Sequence, residues 1–581
     1  MGHRSRYGVR AGWTLLGHRV ALVVGAALTF APYVAIRGQE VSRAKPVDTL
    51  EQRMESVLAT PGFQHGFWGI LVVDHKTGQT VYDRNADLLF APASVTKLFS
   101  TAAALVEFGP NYRFQTPLFR RGEVDAHGTL HGDLILVAQG DLAMGGRTGP
   151  EGKLVFQDDD HTYAAGSLRG QVVPTDPLAG LDHIAREVRA AGIREVTGLV
   201  IIDDRLFAAA LATGSGPKRV SPILINDNVI DILARPADKV GEPAIVTFQP
   251  ATQFVKMDAQ VTSVDAGKSP SLDVHAIGAR EFAVRGQLPL GHSRVVKIYE
   301  VDEPDSFARA LLIEALRRRG VRVAASPLGS NETASLGPRA DVAKLPKVTE
   351  YTSPPFSEYV RVILKVSHNL HASTLPLLLA ARHGEQTLAM GLKRQGEILK
   401  SLGVEPGTVS FGGGAGGARA DLASPRATVN LLRAMASRPE FAAFDAALPI
   451  LGRDGTLAKA VATDSPVRGH ARAKTGTYFV TNELNGTTIL TSKALAGYLE
   501  TASGRSLVFA AFVNNVPLDA PTPDRPISQA TAAAGRLLGK LCEVLYADAG
   551  DNSFIPTHPT DPRPAGNGRA LKDAKAESQV D

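Results

Sequence analysis

Beyond the N-terminal region, the spacing of apolar residues switches between helical and strand-like periods. Residues 48–58 place apolar side chains at helical intervals and predict a short amphipathic helix. The nearly unbroken apolar run at 67–74 predicts a strand, and residues 79–82 predict its hairpin partner after a polar turn. A second helix is predicted to begin near Ser94, just after a proline, and to end at about Phe108.

The middle of the chain has a different pattern. Between about 113 and 340, short β-rich runs alternate with turns, and two helical stretches interrupt them. From Phe356 onward helices return, followed by strands and a long helix. The predicted strands include 133–137, 199–203, 244–248, 471–482 and 505–514, and the predicted helices include 181–192, 305–319 and 526–547. The change of pattern indicates a β-rich insertion in a mixed α/β framework.

Composition excludes several classes of protein. The 581 residues are 44% hydrophobic and 21% charged, which is typical of a globular chain long enough for two or three domains. Lys and Arg number 63 against 58 Asp and Glu, and no basic run is interleaved with aromatics, so nucleic-acid binding has little support. Because Cys542 is the only cysteine, a disulfide framework, a cysteine-ligated zinc and a dithiol centre are excluded, and its apolar neighbours predict a buried structural role.

Both ends of the chain are distinctive. Four arginines between positions 4 and 19 precede the apolar run from Val20 to Ile36, which at 17 residues is slightly shorter than the roughly 20 that span a bilayer. This arrangement is typical of either a secretory signal or an N-terminal membrane anchor, and both place the chain beyond about residue 45 outside the cytoplasm. Residues 551–581 are rich in Pro, Asp and Lys and are predicted to be disordered.

The first candidate for chemistry is Ser94 with Lys97. Pro92 favours a helix start at Ser94, where the positive end of the helix dipole favours an oxyanion. Lys97 lies one turn along on the same face, and a buried lysine has a lowered pKa that lets it deprotonate the serine. The pattern is expected about once by chance in a chain of this length. Ser215 with Lys218 is a second match, but the surrounding glycines and proline predict a loop.

The second candidate is Ser367 with Asn369, predicted to lie in a tight connection between helices. The hydroxyl can relay a proton, and the amide can hydrogen-bond a substrate amide. His368 and His371 have the helical spacing of metal ligands. No acidic residue or further histidine lies near them in the sequence, so we expect no metal site.

The third candidate is the run Lys474, Thr475, Gly476 and Thr477, on a predicted edge strand. It offers an ammonium group, two hydroxyls and a glycine that lets a substrate backbone approach, which suits a terminal carboxylate. The similar run at 76–78 falls in the polar hairpin turn, and a plain turn is the better interpretation.

The ordered set Ser-x-x-Lys, Ser-x-Asn and Lys-Thr-Gly-Thr resembles the signature of penicillin-binding proteins and serine β-lactamases. The long separation of Ser94 from Ser367 is similar to that in the low-molecular-mass class C penicillin-binding proteins, the D-alanyl-D-alanine carboxypeptidase/endopeptidase family. The resemblance covers roughly residues 50–547, with further family-like runs at 132–134, 140–141, 226–229 and 448–457.

The resemblance implies the fold and its division. The fold class is α/β (α+β): a penicillin-recognising sandwich in which helices flank both sides of an antiparallel sheet. We expect residues 46–112 and 341–550 to build this catalytic domain and residues 113–340 to form one or two inserted β-rich domains. Residues 1–45 would be the signal or anchor, and residues 551–581 the disordered tail.

The resemblance also implies roles for the motif residues. Ser94 would attack the carbonyl of a D-Ala-D-Ala peptide and form an acyl-enzyme, with Lys97 as general base. Ser367 would pass the proton to the leaving amine, with Lys474 tuning the field, and Asn369 would orient the acyl chain.

Substrate binding and partners follow from the same resemblance. Thr475 and Thr477, beside Gly476, would hold the terminal carboxylate, and the backbone N–H groups of Ser94 and Thr477 would form the oxyanion hole. The implied partners are peptidoglycan stem peptides and, as covalent inhibitors, β-lactams, in the periplasm or extracytoplasmic wall space. No cofactor, metal or nucleic acid is implied, and the membrane is involved only through residues 20–36.

Two alternatives stay open. One is a β-lactamase or esterase on the same fold, although no Glu is followed four residues later by Asn between positions 369 and 474, as class A deacylation requires. The other is a non-catalytic penicillin- or muropeptide-binding scaffold. It gains support from residues 413–419, where glycines, alanines and Arg419 replace the family's Asp-Gly-Ser-Gly-Leu-Ser-Arg-like run. The acidic run from Asp158 to His161 could bind a cation, but we expect a solvated loop.

Overall fold

The computed structural model describes residues 48–518 and 527–548, so the predicted signal or anchor and the predicted tail lie outside the described residues. None of the described helices is long and apolar enough to span a bilayer. The helices are α1 (Leu50–Leu58), α2 (Thr96–Phe108), α3 (Ala179–Ala190), α4 (Pro304–Arg318), α5 (Arg339–Val342), α6 (Phe356–Lys365), α7 (Asn369–Arg382), α8 (Leu388–Ser401), α9 (Pro425–Ala436), α10 (Phe441–Ala447) and α11 (Ile527–Tyr546).

The strands confirm the predicted change of pattern along the chain. They are β1 (Phe67–Asp74), β2 (Thr80–Arg84), β3 (Gln115–Val124), β4 (Thr129–Val137), β5 (Glu195–Val196), β6 (Val200–Asp203), β7 (Ala210–Leu211), β8 (Arg219–Val220), β9 (Val229–Arg235), β10 (Ile245–Gln249), β11 (Lys256–Val264), β12 (Ser271–Gly278), β13 (Glu281–Pro289), β14 (Val295–Glu300), β15 (Arg322–Val323), β16 (Lys347–Thr352), β17 (Val409–Ser410), β18 (Leu422–Ala423), β19 (Ala471–Asn482), β20 (Thr487–Glu500) and β21 (Ser506–Leu518).

A five-stranded antiparallel sheet with the order β19-β20-β21-β1-β2 organises the part of the chain outside residues 113–340. Successive side chains of a strand point to opposite faces, so β1 contributes to two cores. Ile70 and Val72 pack in the core that includes α1 and α11, whereas Leu71 and Val73 pack in the core that includes α2, α6, α7 and α9. The predicted antiparallel sheet with helices on both sides is therefore confirmed.

Helix α2 lies inside the larger of these two cores. Its residues 96–105 are all buried, and most of the apolar ones belong to this core. Two of its polar side chains find backbone partners: Ser100 donates a hydrogen bond to the carbonyl of Gly414 at 2.8 Å, and Thr101 donates one to the carbonyl of Lys97 at 2.5 Å. Buried polar groups need such partners, and their presence allows the helix to carry Lys97 into the core.

The segment at 113–340 has a core of its own. Its main sheet has the order β15-β5-β4-β3-β16, with β6 beside β4, and it packs against α3 and α4. Two three-stranded sheets, β10-β9-β14 and β11-β13-β12, complete this part. Strand β16 lies after residue 340 and still pairs with β3, so the chain completes this sheet before it continues into α6. The domain boundaries proposed from the sequence stay a prediction.

Candidate active site

The first motif sits where the chain turns sharply into α2. Residues 93–95 form one 3-10 turn after Pro92, and Ala93 has φ 44°, a left-handed value that is uncommon for a residue with a side chain. Lys97 follows one turn later, and its Nζ lies 2.8 Å from Ser94 Oγ. The predicted serine–lysine pair is therefore in hydrogen-bonding contact.

Lys97 has three polar partners. Its Nζ contacts Asn369 Oδ1 at 2.6 Å, the carbonyl oxygen of Ala415 at 2.7 Å and the Ser94 hydroxyl. The first two can only accept hydrogen bonds, whereas the hydroxyl can also donate. An ammonium satisfies all three with three N–H bonds, and a neutral amine satisfies them with two N–H bonds and one lone pair directed at Ser94. Burial, reinforced by the nearby charge of Lys474, lowers the pKa of Lys97 well below its ordinary value and favours this neutral form.

The second motif occupies the connection between α6 and α7. Ser367 has φ 65°, which turns the chain so that its Oγ accepts a hydrogen bond from Lys474 Nζ at 3.0 Å. Asn369 begins α7 and divides its amide between two partners, with Oδ1 facing Lys97 and Nδ2 donating to the carbonyl of Ser215 at 2.8 Å. The predicted tight connection is confirmed, and Ser215, which the sequence placed in a loop, lies at the site.

The third motif lies on β19, the edge strand of the five-stranded sheet. A Cβ at Gly476 would lie 2.4 Å from the carbonyl oxygen of Pro92, so only glycine lets the strand approach the turn that carries Ser94. Thr475 donates a hydrogen bond to Thr456 Oγ1 at 2.8 Å. Thr477 accepts one from Lys493 Nζ at 2.8 Å. The three motifs predicted from the sequence therefore converge on one place.

Three buried lysines give the site its electrostatic character. Burial, with the charge of Lys493 added, lowers the pKa of Lys474 to about 7. Burial also lowers the pKa of Lys493 to about 8. Lys474 and Lys493 thus exchange protons near the physiological range, which ordinary surface lysines do not, and the pKa of Lys97 is also lowered well below its ordinary value.

The glycine-rich loop at 412–417 works through its backbone. The carbonyls of Gly414 and Ala415 accept hydrogen bonds from Ser100 and Lys97. A Cβ at Gly416 would lie 1.9 Å from the carbonyl oxygen of Ala93, so the loop needs glycine to approach the turn that carries Ser94. Asp421 fixes the loop by accepting hydrogen bonds from the N–H groups of residues 412 and 418. The departure from the family's polar run therefore leaves the contact with Lys97 in place.

A cavity of about 440 Å³ opens over these motifs. Its walls include Ser94, Ser367, Asn369, Thr475 and Thr477, together with Asp158, Tyr163, Ser215, Thr456, Tyr478, Phe479 and Lys493 from outside the three motifs. The residues of this second set were not predicted from the sequence to belong to the site. For Lys493 a signal existed, because a lysine directly before the small apolar run 494–497 of a strand is an unusual choice.

The prediction of a solvated loop at Asp158–His161 is wrong for the second half of this run. Asp158 is exposed at the cavity, but Asp160 and His161 are buried. Asp160 makes a two-bond ion pair with Arg147 at 2.8 and 3.0 Å. The same guanidinium donates to Asp227 Oδ2 at 2.7 Å. Charged groups this deep are retained when they are paired, so half of this acidic run belongs to the interior.

The histidines of the second motif meet the acidic partner that the sequence did not reveal. Asp227 Oδ1 lies 2.6 Å from His371 Nε2 and 3.2 Å from His368 Nε2. Among the described residues, these three are the group whose ligand atoms lie close enough together to hold a metal ion. However, Arg147 Nη2 lies 3.3 Å from His368 Nε2 and already supplies the positive charge that Asp227 requires, so a second cation would meet a like charge there.

This chain is similar to known proteins over most of its length. A family model described as the D-Ala-D-Ala carboxypeptidase 3 (S13) family matches residues 50–534. The chain is 28% identical to a D-alanyl-D-alanine carboxypeptidase of an Actinomadura species over 465 residues, which cover 75% of this chain and 78% of that protein. It is 22% identical to D-alanyl-D-alanine carboxypeptidase DacB of Haemophilus influenzae, over 79% of this chain and 88% of the relative.

The fold is also found in solved structures. Penicillin binding protein 4 (dacB) of Haemophilus influenzae superposes with a TM-score of 0.63 at 19% identity, covering 85% of this chain and 99% of that one, and a second structure of it contains a β-lactam. Because the family model spans most of the chain, this protein belongs to the D-Ala-D-Ala carboxypeptidase 3 (S13) family and is a serine-type hydrolase of that family.

Proposed function

We propose that this chain removes the terminal D-alanine from peptidoglycan stem peptides, and opens D-alanyl cross-links, through an acyl-enzyme on Ser94. β-Lactams would acylate the same serine and act as covalent inhibitors. The reaction would take place outside the cytoplasm, where peptidoglycan lies, with residues 20–36 serving as signal or anchor.

The acylation step begins with neutral Lys97. Its lone pair faces the Ser94 hydroxyl at 2.8 Å, so it can accept the proton as Ser94 Oγ bonds to the substrate carbonyl carbon. The two acceptors at Asn369 and Ala415 then stabilise the ammonium that forms. Lys97 is therefore assigned as the general base, and its fixed partners keep it aligned before and after the proton moves.

Ser367 and Lys474 would serve the leaving group. The carbon–nitrogen bond of the substrate breaks, and the proton that Lys97 took from Ser94 passes through the Ser367 hydroxyl to the departing D-alanine amine, while Lys474 contacts that hydroxyl at 3.0 Å. Water then attacks the ester and gives one proton to neutral Lys97. The ester bond breaks, this proton returns to Ser94 Oγ, and the shortened peptide leaves.

Strand β19 would bind the substrate. The hydroxyls of Thr475 and Thr477 line the cavity beside Lys474, and together they suit the terminal carboxylate of a D-Ala-D-Ala peptide. The close approach at Gly476 brings the Thr477 backbone next to the turn that carries Ser94. The N–H groups of Ser94 and Thr477 are the proposed oxyanion hole, and each such donor contributes about 3–4 kcal/mol in other hydrolases.

The observation that carries the proposal is the arrangement around Lys97, whose Nζ lies 2.8 Å from Ser94 Oγ and whose burial favours the neutral amine. The test is intact mass spectrometry after incubation with penicillin, for the wild type and Ser94→Ala. We expect one stable adduct per wild-type chain and none in the variant, followed by release of D-alanine from a pentapeptide substrate. Rapid hydrolysis of penicillin without an adduct would support a β-lactamase instead, and neither adduct nor hydrolysis would support a scaffold.

A further inference from the structure

The segment Ser367–Asn369 faces the catalytic lysines on one side and the insertion on the other. Tyr163, from the insertion, donates a hydrogen bond from its hydroxyl to the Ser367 carbonyl at 2.5 Å. Ser215, also from the insertion, accepts from Asn369 Nδ2. Between these two contacts, the His368 side chain turns into the interior and meets Asp227. The insertion therefore contacts each of the three residues in this segment.

Asp227 is the centre of this contact. Its Oδ1 faces His371 and His368, and its Oδ2 accepts from Arg147 at 2.7 Å and faces His161 Nε2 at 3.1 Å. His161 is held in turn by Asp231, with 2.6 Å between Nδ1 and Oδ1. Every side chain in this cluster is buried. One carboxylate thus joins the insertion to the helix that begins with Asn369.

The backbone that presents Asp227 is strained. Residues 226, 227 and 228 are consecutive non-glycine residues with φ of 50°, 54° and 56°. Left-handed conformations of this kind cost free energy and persist where the surroundings over-determine them, often at functional sites. The strain indicates that the position of this carboxylate matters more than the ease of forming the turn.

The contacts of the two histidines connect them to Asp227. His368 Nδ1 accepts from the backbone N–H of His371 at 3.3 Å, and its Nε2 faces both Asp227 Oδ1 at 3.2 Å and Arg147 Nη2 at 3.3 Å. Burial and the neighbouring His368 lower the pKa of His371 to about 4, so this ring is neutral and donates from Nε2 to Asp227. Burial opposes ionisation of Asp227, but Arg147 and the histidines hold its pKa well below the usual range. The cluster is a charged support at neutral pH.

We propose that Asp227 and Tyr163 are positioning residues, through which the insertion holds Ser367 and Asn369 at the distances that Lys474 and Lys97 require. Asp227 acts through His368 and His371, and Tyr163 acts through the Ser367 carbonyl. This inference rests on the proposed function. It gives the insertion a role in the reaction, because without these contacts the left-handed Ser367 turn and the start of α7 lose their outer support.

The test uses two polar replacements of one histidine. Gln can place its amide nitrogen where Nε2 of His371 donates to Asp227, whereas Asn reaches only as far as Nδ1, an atom that has no hydrogen-bond partner in the structure. The rate constant for acylation of Ser94 by a saturating fluorescent penicillin is measured, with the number of labels per chain and the melting temperature. We expect His371→Asn to slow acylation by about 10- to 100-fold while still reaching one label per chain, and His371→Gln to restore most of the rate.

The matched control is Tyr359→Phe. Its hydroxyl donates to buried Asp141 at 2.7 Å and so also joins α6 to the insertion, but it does not contact the Ser367–Asn369 segment. We expect this variant to lower the melting temperature and leave the acylation rate unchanged. Equal rates for folded His371→Asn and His371→Gln, or equal losses in both, would overturn the proposal.

If His371→Asn fails to fold, Tyr163→Phe decides the question. It removes one hydrogen bond to the Ser367 carbonyl, and a wild-type acylation rate would then overturn the proposal. Absence of a Ser94 adduct in the wild type would instead remove the proposed function itself, a result distinct from a loss confined to the variants.

Discussion

Two clusters of buried charge lie side by side in this molecule, and they use burial in opposite ways. Around the cavity, the side-chain nitrogens of the lysines contact hydroxyls, an amide oxygen and a carbonyl, and burial lowers the pKa of each lysine below its ordinary value. Behind the second motif, Arg147 is paired with Asp160 and Asp227. Burial disfavours the charge of His161, but Asp231 and Asp227 outweigh it and raise the pKa of His161 to about 10. Burial among like charges makes groups reactive, and burial among opposite charges holds them in one ionic state.

The two clusters meet within one tripeptide. Ser367 and Asn369 belong to the lysine cluster, while His368 between them belongs to the ion-paired cluster. To contact both clusters, this segment must direct its successive side chains to opposite sides. The left-handed turn at Ser367 provides a backbone that does so. Under the proposed function these three residues have two roles: the side chains of Ser367 and Asn369 take part in the reaction, and the side chain of His368 fixes their geometry.

The largest expected effect comes from making Lys97 permanently charged. Lys97→Arg introduces a cation of similar length, and a guanidinium does not lose its proton in the physiological range. We expect the acylation rate of Ser94 to fall by up to about 10⁴-fold, because a permanently charged group replaces the neutral amine that serves as general base. Stopped-flow measurement with a reporter penicillin gives this rate directly.

The matched control is Lys365→Arg. Lys365 is also buried, but its Nζ is paired with Asp454 Oδ2 at 2.7 Å, so retaining charge at this position should preserve acylation. If Lys97→Arg acylates within tenfold of the wild type, Lys97 is not the base and the assignment fails.

The next effect concerns the ion-paired cluster. Arg147→Met leaves Asp160 and Asp227 buried without their shared cation, and breaking a buried pair in this way costs about 3–5 kcal/mol. We expect a decrease of this size in the free energy of unfolding, measured by urea denaturation followed by circular dichroism.

Arg426→Met provides the comparison for Arg147. It breaks an ion pair with Asp87 at the surface, where the expected loss is about 0–1 kcal/mol. Similar losses for the two variants would mean that the buried cluster contributes no more to stability than an exposed pair, contrary to the contrast drawn here.

The sequence predicted the lysine cluster far better than the ion-paired cluster, for a physical reason. Ser94 and Lys97 are one helical turn apart, and Lys474 to Thr477 are contiguous, so local periodicity brings them together. Asp227 and His371 are 144 positions apart and meet only because the insertion folds back on the second motif. Lys493 joins the site through strand pairing with β19, where Thr477 lies opposite it.

The fold, like the site, was predicted well where it depends on residues close together in the sequence. The strand at Phe67–Asp74 and the long C-terminal helix were predicted almost at their observed bounds because their apolar patterns are continuous. The acidic run at Asp158–His161 was misjudged because charge in a sequence usually indicates solvent exposure, and only tertiary pairing with Arg147 reverses that expectation for Asp160.

The pH dependence of the reaction sharpens the comparison. In the free enzyme Lys97 must be neutral and Lys474 protonated, so kcat/KM for peptide cleavage should fall at acid pH, below the lowered pKa of Lys97. It should also fall as pH rises through about 7, the pKa of Lys474. A bound substrate carboxylate favours the ammonium form, so the basic limb of kcat should lie at higher pH than that of kcat/KM. Coincident basic limbs, measured by D-alanine release across pH, would argue against carboxylate binding by Lys474.

The smallest expected effect tests whether repulsion from Lys493 sets the pH at which kcat/KM falls on the basic side. Lys493 lowers the pKa of Lys474 through repulsion, so Lys493→Met should move the basic limb of kcat/KM upward, by up to about one pH unit. Lys493→Arg retains a charge that does not titrate in this range, and its limb should stay in place or move to lower pH. Both variants lose the native contact with Thr477, so a weaker KM common to both reports that contact, while the difference between their pH profiles isolates the charge. If the two profiles coincide, desolvation alone sets the pKa of Lys474, and the lysines of the cavity are independent groups that share a site without being coupled.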